Sequence, residues 1–303
     1  MTQPGTEAPP TTDPLQRLTV VVVTHHSAHC VDDMARHLAG FAHVVVVDNA
    51  SDDGTPERVR QRMPAARLLA LPANLGFGAA NNRGLEGVTT PYALLLNPDC
   101  TLSPESAAQL VRTADAHPTA AIVAPQLQEH GPQPQLNYGW PRWTWAARGP
   151  GASGPACVGY ACAAAWLLRT QAIGPQAPWR FDEGFFLYYE DEDLCARVFK
   201  ARQQVLIEPA ATARHANRGS VRGRSVVSAW ASEWRRGYHH SRSKVRFMAL
   251  HIDGREARRV RTLGLWTGGL ELALRLLTLQ PRLIARSAGR WLGMWHARAS
   301  LLT

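Results

Sequence analysis

The chain has 303 residues, of which 45% are hydrophobic, enough for one large domain or two small ones with a buried core. Its five cysteines are irregularly spaced and form no CxxC pair, which disfavours a disulfide framework or a zinc site and favours a reducing compartment. The net charge of +9 is uneven. Residues 1–213 carry a balance of −5 and residues 214–303 one of +14, so the C-terminal region is suited to an anionic partner such as phospholipid, nucleic acid or diphosphate.

The N-terminal part of the chain alternates between strand-like and helix-like segments. Residues 1–17 are polar and rich in Pro and Thr, which predicts a disordered tail without a signal peptide. Strands are predicted at 18–24, 44–47, 67–71, 92–96 and 121–124, and helices at 31–40, 56–63, 104–116 and at the end of segment 74–84. This alternation predicts a doubly wound α/β sheet, whose ligands bind beyond the carboxyl ends of the strands.

The second part of the chain is less regular. Residues 126–156 are rich in Pro, Gly and Trp and predict an irregular connection, followed by a small apolar segment at 158–168. A strand is predicted at 204–207, a loop at 215–220, and basic helical regions at 228–252 and 257–301. After the N-terminal tail, these features divide the chain into three segments: 18–125, 126–252 and 253–303.

An acidic stretch at 181–194 stands out because six carboxylates, four of them consecutive, lie among five aromatic residues. One interpretation is that the carboxylates lie at the edge of an apolar pocket, where one of them is tuned as a base. The other is the acidic first turn of a helix, because acids there complement the helix dipole. From the stretch alone both interpretations remain open.

Polar residues follow several predicted strands, and each has a functional and a structural interpretation. Asp99 could ligate a hard divalent cation or simply start a turn. Asp48 could accept a hydrogen bond from a nucleoside or belong to a solvated turn. His215 could be a metal ligand or an ordinary structural histidine. The segment 74–78 contains two glycines but matches neither GxGxxG nor the P-loop pattern, which disfavours a dinucleotide fold or a P-loop kinase.

Several segments together carry a family resemblance. They are Val-Val-Val-Thr-His-His-Ser (21–27), Val-Asp-Asn-Ala-Ser-Asp-Asp-Gly-Thr (47–55), Asn-Leu-Gly-Phe-Gly-Ala-Ala-Asn-Asn-Arg-Gly (74–84) and Leu-Leu-Asn-Pro-Asp (95–99). In this order they resemble the family 2 glycosyltransferases, and 181–197 and 215–220 continue the match. The likeness extends over residues 18–250 and is closest to the bacterial rhamnosyltransferase-like branch. Several motifs in the right order are far more specific than any one of them.

The resemblance implies a GT-A fold and inverting transfer from a nucleotide-diphosphate sugar with Mg²⁺ or Mn²⁺. Residues 18–125 would form the nucleotide-sugar-binding half and 126–252 the acceptor-binding, catalytic half. Asp191 would be the general base, supported by Glu190, and Asp99 and His215 would bind the metal and diphosphate. Asn97 stands where the first acid of the family's DxD motif is found. The nucleotide sugar would be bound by Thr24, Asp48, Asn49, Asn74, Gly76, Asn82 and Asn97.

The implied acceptor is a glycan or a lipid-linked sugar, and rhamnose from dTDP-rhamnose is the sugar implied by the branch, with hexose and galactofuranose as alternatives. The segment 263–279 is apolar, but two charges make it too weak for a membrane span. With Arg282, Arg286 and Arg290 it predicts an interfacial helix, through which residues 255–303 contact the cytoplasmic face of the membrane. The alternative is a helix packed on the catalytic domain or in a homodimer.

Three other protein classes compete with this interpretation. A nucleotidyltransferase would carry a glycine-rich triphosphate loop after the first strand, where this chain has Thr24-His25-His26-Ser27. A nucleic-acid-binding protein could use the basic C-terminal region, but no interleaved aromatic platform accompanies it, so no nucleic acid is expected as partner. An inactive transferase-like protein would not require Asp99 and Asp191, both of which are present.

Overall fold

A computed structural model describes residues 13–128, 134–135, 138–139, 151–173, 179–216 and 226–297. The helices are α1 (Val31–Leu38), α2 (Thr55–Arg62), α3 (Phe77–Leu85), α4 (Pro104–Ala116), α5 (Glu190–Lys200), α6 (Val226–His251), α7 (Gly254–Leu277) and α8 (Pro281–His296). The strands are β1 (Leu18–Thr24), β2 (Val44–Asp48), β3 (Arg67–Ala70), β4 (Tyr92–Leu96), β5 (Cys100–Leu102), β6 (Ala120–Gln128), β7 (Pro134–Gln135), β8 (Tyr138–Gly139), β9 (Ala156–Val158), β10 (Tyr160–Ala161), β11 (Ala165–Arg169) and β12 (Gln204–His215).

One curved sheet forms the centre of the molecule, in the order β3-β2-β1-β4-β11-β6-β12-β5. β1 pairs in parallel with β2 and β4, as unbroken apolar runs such as Val20–Val23 predict for strands covered on both faces. β11 is antiparallel to both of its neighbours, β4 and β6. The division predicted at residue 125 therefore falls inside β6 and inside one continuous sheet.

The N-terminal segment departs in part from its prediction. Asp13 caps a short 3₁₀ turn at Pro14–Arg17, and the Arg17 guanidinium contacts the Asp115 carboxylate at 2.8 Å. The predicted disorder of 1–17 is therefore wrong for residues 14–17, which are anchored to α4, whereas residues 1–12 lie outside the described part of the chain.

The strand predicted at 204–207 extends in the structure over Gln204–His215, well beyond the apolar residues from which it was predicted. β12 continues to His215 because the pairing register shifts between Glu208 and Thr212, which accommodates Pro209. Its last residues pair with β5, a three-residue strand that sequence patterning missed, and His215 lies opposite Cys100. This pairing carries His215 to the end of β4 and next to Asp99.

Three glycines allow the C-terminal helices to pack tightly. A Cβ at Gly237 of α6 would lie 2.3 Å from the backbone oxygen of Arg286 in α8. A Cβ at Gly289 or Gly293 of α8 would lie 2.1 or 2.3 Å from backbone oxygens of α6. Only glycine permits this backbone approach. α8 thus packs on α6, as the packed-helix interpretation of the tail predicts. No helix in the described ranges is long and apolar enough to span a bilayer.

Candidate active site

A cavity of about 510 Å³ opens at the carboxyl ends of the central strands. Three parts of the chain enclose it: the strand ends, the acidic stretch and the helices α6 and α8. The residues that line it include His25, Asn49, Asn74, Gly76, Asn97, Asp99, Phe186, Leu187, Tyr188, His215, Arg236, His240, Arg286 and Arg290. Its position is the one that a doubly wound sheet predicts for a ligand site.

Asp99 and His215 meet at one side of this cavity. Nε2 of His215 lies 3.5 Å from Oδ1 of Asp99, and the two side chains are 13% and 4% exposed. The backbone N–H of Ala216 also donates to the Asp99 carbonyl at 3.0 Å. A carboxylate oxygen and an imidazole nitrogen at this separation can both serve as ligands of a divalent cation. No cluster of three or more His, Cys, Asp or Glu suited to a metal occurs within the described ranges, so water or ligand oxygens would complete the coordination.

The amide side chains at the strand ends line the cavity but also brace each other. Nδ2 of Asn49 donates to Oδ1 of Asn74 at 3.0 Å and to the Gly76 carbonyl at 3.1 Å. The backbone N–H of Asn97 donates to the Ala164 carbonyl at 2.9 Å, which fixes the position of Asn97. Four of the predicted nucleotide-binding residues, Asn49, Asn74, Gly76 and Asn97, therefore share this cavity.

Three other predicted nucleotide-binding residues lie behind the cavity lining. Asp48 is fully buried and accepts hydrogen bonds from Thr24 and Ser51, whose hydroxyl is 2.6 Å away. Asn82 donates to the Phe181 carbonyl at 3.0 Å and to Glu183 at 3.1 Å. These contacts give the three residues a role in holding the strand ends and the acidic stretch, and their contact with a nucleotide stays a prediction.

Gly76 positions the acidic stretch against the sheet. Its φ of +88° is in the left-handed region, and a Cβ there would lie 2.2 Å from the Phe186 carbonyl oxygen. The adjacent N–H of Phe77 donates to that same carbonyl at 3.1 Å. The positive φ and the lack of space for a Cβ both require glycine at position 76, because any side chain would displace the acidic stretch from the cavity.

We expect Gly76→Ala to lower the free energy of unfolding by about 3 kcal/mol, since a strained backbone and a steric clash coincide. Gly54→Ala is the matched control, because Gly54 has a similar φ of +83° but a Cβ there would meet no atom within 4 Å. That variant should lose only about 1 kcal/mol. Urea denaturation of both variants measures the difference, and equal losses would show that the contact with Phe186 is unimportant.

The acidic stretch combines both interpretations that the sequence left open. α5 begins at Glu190, so Asp191 is in an acidic first turn, and Tyr188 from the preceding turn lines the cavity. Tyr188 and Tyr189 have left-handed φ values of 67° and 68°. Two consecutive non-glycine residues in this region are a source of strain that is common near functional sites. All four consecutive acids, Glu190 to Asp193, lie in the first turn of this helix.

The upstream acids of the stretch fasten it to its neighbours. Asp182 accepts from Arg246 of α6 at 2.7 Å, and Glu183 accepts from Arg83 of α3 at 3.1 Å. The Leu187 carbonyl accepts from the Ser243 hydroxyl at 3.0 Å. The loop before α5 is therefore held from two sides, by its two carboxylates and by a backbone carbonyl.

Asp191 is held on both carboxylate oxygens. The Tyr160 hydroxyl and the Ala163 N–H donate to Oδ2 at 3.3 and 3.4 Å, and the Glu192 N–H donates to Oδ1 at 3.0 Å. Burial raises the pKa of Asp191 above its ordinary value, although these hydrogen bonds act in the opposite direction. A carboxylate with a raised pKa and a fixed orientation is a stronger base than an ordinary aspartate and is suited to accept a proton.

Glu190 and Asp193 flank Asp191 in opposite electrostatic environments. Burial, followed by the charge of Asp191, raises the pKa of Glu190 well above its ordinary value. Oε2 of Glu190 is buried and finds no hydrogen-bond donor within the described ranges. Burial alone would raise the pKa of Asp193, but hydrogen bonds from His251 at 2.8 Å and Arg197 at 2.7 Å outweigh it and lower that pKa.

The two residues should therefore respond oppositely to neutralisation. A raised pKa in the folded state means that stability is lost as pH rises through that pKa, so Glu190→Gln should stabilise the protein by about 1 kcal/mol at pH 8. A lowered pKa means that the ionised form is stabilising above the ordinary value, so Asp193→Asn should cost about 3 kcal/mol at pH 8.

Urea denaturation at pH 8 and pH 5 checks this pair. The gain from Glu190→Gln should shrink as the pH falls from 8 to 5, because protonation of Glu190 removes its buried charge, while Asp193→Asn should remain destabilising. A Glu190→Gln variant that is less stable than the wild type at pH 8 would contradict the assignment of a strained, buried carboxyl group.

The basic side of the cavity was missed by sequence reasoning. Arg236 and His240 project from successive turns of α6, and Arg286 and Arg290 from successive turns of α8. The sequence assigned Arg286 and Arg290 to an interfacial helix, and in the structure both line the cavity. The signal in the sequence was the four-residue spacing of each pair, but that spacing alone gives no direction.

Comparisons with known proteins agree with this geometry. The sequence profile of glycosyl transferase family 2 matches residues 19–169. An N-acetylglucosaminyl-diphospho-decaprenol L-rhamnosyltransferase of Mycobacterium tuberculosis is 30% identical over 279 residues, which cover 82% of this chain and 84% of that protein. The succinoglycan biosynthesis protein ExoO of Rhizobium meliloti is 32% identical over 113 residues, which cover 36% of this chain and 32% of that protein.

Solved structures share the fold at low sequence identity. The mannosyltransferase PcManGT of Pyrobaculum calidifontis, in complex with GDP-Man and Mn²⁺, matches 97% of this chain and 89% of its own with a TM-score of 0.55 and 16% identity. GalNAc-T7, solved with UDP, GalNAc and Mn²⁺, matches 84% of this chain and 51% of its own with a TM-score of 0.55 and 13% identity. The fold is thus the GT-A fold that the sequence predicts. The chain belongs to glycosyl transferase family 2 and is a glycosyltransferase of its rhamnosyltransferase branch.

Proposed function

We propose that the protein is an inverting, metal-assisted glycosyltransferase that moves a sugar from a nucleotide diphosphate to a hydroxyl of a lipid-linked or glycan acceptor. The observation that carries the proposal is the meeting of Asp99 and His215 in the cavity at the strand ends. The rhamnosyltransferase name of the Mycobacterium tuberculosis relative supports rhamnose as the sugar and a diphospholipid as the acceptor.

The two residues suit either Mg²⁺ or Mn²⁺. A buried carboxylate beside an imidazole provides an oxygen and a nitrogen ligand, and the mixed set favours Mn²⁺ over Mg²⁺, which prefers oxygen. When bound, the cation neutralises the charge that develops on the departing diphosphate. The asparagines of the cavity, Asn49, Asn74 and Asn97, are placed to hydrogen-bond the nucleotide sugar from the strand ends.

Asp191 supplies the base in this mechanism. Its carboxylate accepts the proton of the acceptor hydroxyl as that oxygen attacks the anomeric carbon from the side opposite the diphosphate. Tyr160 and Ala163 hold the carboxylate in a fixed orientation. Glu190 keeps a second carboxyl group beside it, whose own pKa is raised by burial and by the charge of Asp191. In-line attack inverts the anomeric configuration without a covalent intermediate on the protein.

A donor screen tests the proposal. Thermal unfolding is measured with dTDP-rhamnose, UDP- and GDP-linked hexoses and UDP-galactofuranose, each with and without Mn²⁺ or Mg²⁺. We expect dTDP-rhamnose with Mn²⁺ to give the largest rise in Tm, because a ligand that binds only the folded state stabilises it. A larger rise with another donor would replace rhamnose, and no metal-dependent rise with any donor would contradict the proposed function.

We further propose that the protein works at the cytoplasmic face of the membrane, held there by the outer face of α7. Large apolar side chains form an exposed stripe at helical spacing on this face: Leu263, Trp266, Leu270, Leu274 and Leu277. Trp266 is 78% exposed and Leu277 is 81% exposed. Glu271, a charge that interrupts this segment of the sequence, is turned towards α8, where it accepts from the Ser287 hydroxyl at 3.1 Å.

Charge favours an anionic bilayer over a second copy of the chain as the partner of this face. Arg255, Arg258 and Arg259 are exposed at one end of the stripe, and Arg282 is exposed just beyond the other. An antiparallel pair of α7 helices would bring these like charges together. Basic residues that flank an apolar stripe instead complement anionic lipid headgroups.

The test is flotation with vesicles of phosphatidylglycerol and phosphatidylcholine, compared with phosphatidylcholine alone. Wild type should float with the anionic vesicles, and a Trp266→Ser, Leu270→Ser double variant should lose most of this binding. A Val226→Ser, Val227→Ser variant is the control, because these valines are also exposed but lie on α6. If the α7 variant changes only the oligomeric state by light scattering, the face is a dimer contact and the membrane proposal is wrong.

A further inference from the structure

Three arginines line the cavity on the side formed by the C-terminal helices: Arg236 on α6, and Arg286 and Arg290 on α8. Asp99, at the strand ends, is the one carboxylate among the cavity-lining residues in the described ranges. The lining therefore carries more positive charge than a divalent cation site needs. Guanidinium groups present planar arrays of N–H donors that match phosphate oxygens.

Helix packing holds these arginines next to one another. Gly237 follows Arg236 directly, and its missing side chain lets the α8 backbone at Arg286 and Arg290 pass against α6. Arg286 and Arg290 are four residues apart and so lie on one face of α8. The three guanidinium groups thus converge from two helices that are fixed by backbone contact, which reduces the cost of assembling an anion site.

Two neighbouring carboxylates form long ion pairs with the arginines, which leaves the guanidinium N–H groups available for hydrogen bonds to a ligand. Glu233 lies 3.7 Å from Arg236 and 3.9 Å from Arg286, and Glu271 lies 3.9 Å from Arg290. These distances exceed those of hydrogen bonds. Burial, with smaller contributions from Arg290, Lys244 and Arg286, lowers the pKa of His240 to about 4. His240 is therefore neutral at pH 7 and adds a polar contact in a region of positive potential.

We propose that Arg236, Arg286 and Arg290 form a second diphosphate subsite, which binds the diphosphate of a lipid-linked acceptor. The inference rests on the proposed function. A nucleotide-diphosphate sugar carries two negative charges and Asp99 a third, of which a divalent cation on Asp99 and His215 would balance two. One arginine is enough to balance the remaining charge, so the other two face a second anion in the same cavity.

The shared cavity also specifies the acceptor. Two diphosphates fit in one cavity only if the acceptor hydroxyl is close to the acceptor's own diphosphate. The reacting sugar is then the one attached directly to the diphosphate, and not a sugar at the distant end of a long glycan. With the apolar outer face of α7 on the bilayer, the protein is held at the same membrane that contains the lipid chain of such an acceptor.

Calorimetry on the full-length protein separates this subsite from the donor site. The probes are farnesyl diphosphate for the acceptor, farnesol as its uncharged counterpart, and dTDP with Mn²⁺ for the donor. Arg286→Gln and Arg290→Gln should each weaken farnesyl diphosphate binding about tenfold or more. Binding of dTDP should change by less than about threefold. Arg282→Gln is the matched control, because Arg282 lies one turn before Arg286 on α8 but is exposed and outside the cavity.

The outcomes distinguish failure of the subsite from failure of the proposed function. Equal losses of dTDP and farnesyl diphosphate binding would assign the arginines to the donor and overturn the inference, as would farnesyl diphosphate binding that is unchanged in both variants. Binding of farnesol as tight as that of farnesyl diphosphate would also overturn it. If farnesyl diphosphate binding depends on the arginines while no donor supports transfer, the subsite stands and the proposed function fails.

Discussion

Asp191→Asn is expected to reduce sugar transfer by about 10²–10⁴-fold while nucleotide-sugar binding persists. The amide keeps the size of the side chain but cannot accept the proton of the acceptor hydroxyl. Asp191 is not among the residues that line the cavity and lies against Tyr160 and Ala163, so its neutralisation should not disturb the nucleotide. The rate of nucleotide release at saturating donor measures sugar transfer, and calorimetry with dTDP and Mn²⁺ measures nucleotide binding.

The pH profile of the wild type provides an independent check. A base must be deprotonated, so kcat/KM should rise with pH through an apparent pKa above the ordinary aspartate value, because burial raises the pKa of Asp191. The pKa values of Glu190 and Glu192 are raised as well, mainly by burial, so the apparent value belongs to the group of three carboxyls. In the Asp191→Asn variant this rise should disappear.

Asp182→Asn is the control for Asp191→Asn, because it makes the same chemical change nine residues earlier in the same stretch. Asp182 contacts Arg246 at a partly exposed position, where an ion pair contributes about 1 kcal/mol or less. This variant should retain turnover close to that of the wild type. Near wild-type turnover in Asp191→Asn would show that another group is the base.

Asp99→Ala is expected to weaken Mn²⁺-dependent binding of dTDP at least about 100-fold. The substitution removes the carboxylate ligand itself, and changes in groups that merely support metal ligands already cost 10–100-fold. His215→Ala should act in the same direction, since its ring nitrogen lies 3.5 Å from the Asp99 carboxylate. Without metal, wild type and Asp99→Ala should bind dTDP with similar weak affinity.

Asp52→Ala controls for the loss of a negative charge near the strand ends. Its side chain is 79% exposed and contacts His26 at 3.1 Å, so the variant should leave Mn²⁺-dependent binding unchanged. Calorimetry at fixed ionic strength compares the variants. If Asp99→Ala binds dTDP with Mn²⁺ as tightly as the wild type does, the metal does not bind at Asp99.

The sequence was sufficient to predict the strand ends that form the donor side of the site. Val20–Val23 and Val44–Val47 are unbroken apolar runs, so their burial and parallel pairing follow from composition alone. Polar residues directly after such strands must gather at one edge of the sheet, which is where Asn49 and Asp99 lie. The acidic turn was also predictable, because its carboxylates occur beside aromatic residues.

The opposite side of the site depends on tertiary contacts that cannot be predicted from a single sequence. β12 reaches His215 only through a register shift around Pro209, a residue that locally argues against a strand. The direction of Arg286 and Arg290 depends on which face of α8 meets α6. That face is selected by the close contacts at Gly237 and Gly289, and glycines within a helix ordinarily predict only a weaker helix.

The insertion of β11 between β4 and β6 has a consequence for synthesis of the chain. When residue 128 leaves the ribosome, β4 and β6 are complete, but the strand that joins them, Ala165–Arg169, has not yet emerged. Each then exposes an unpaired edge of backbone donors and acceptors, which is prone to pair with other chains. Residues 18–128 are therefore unable to close their own sheet, and ribosome-bound chains that end before β11 should require a chaperone that shields strand edges.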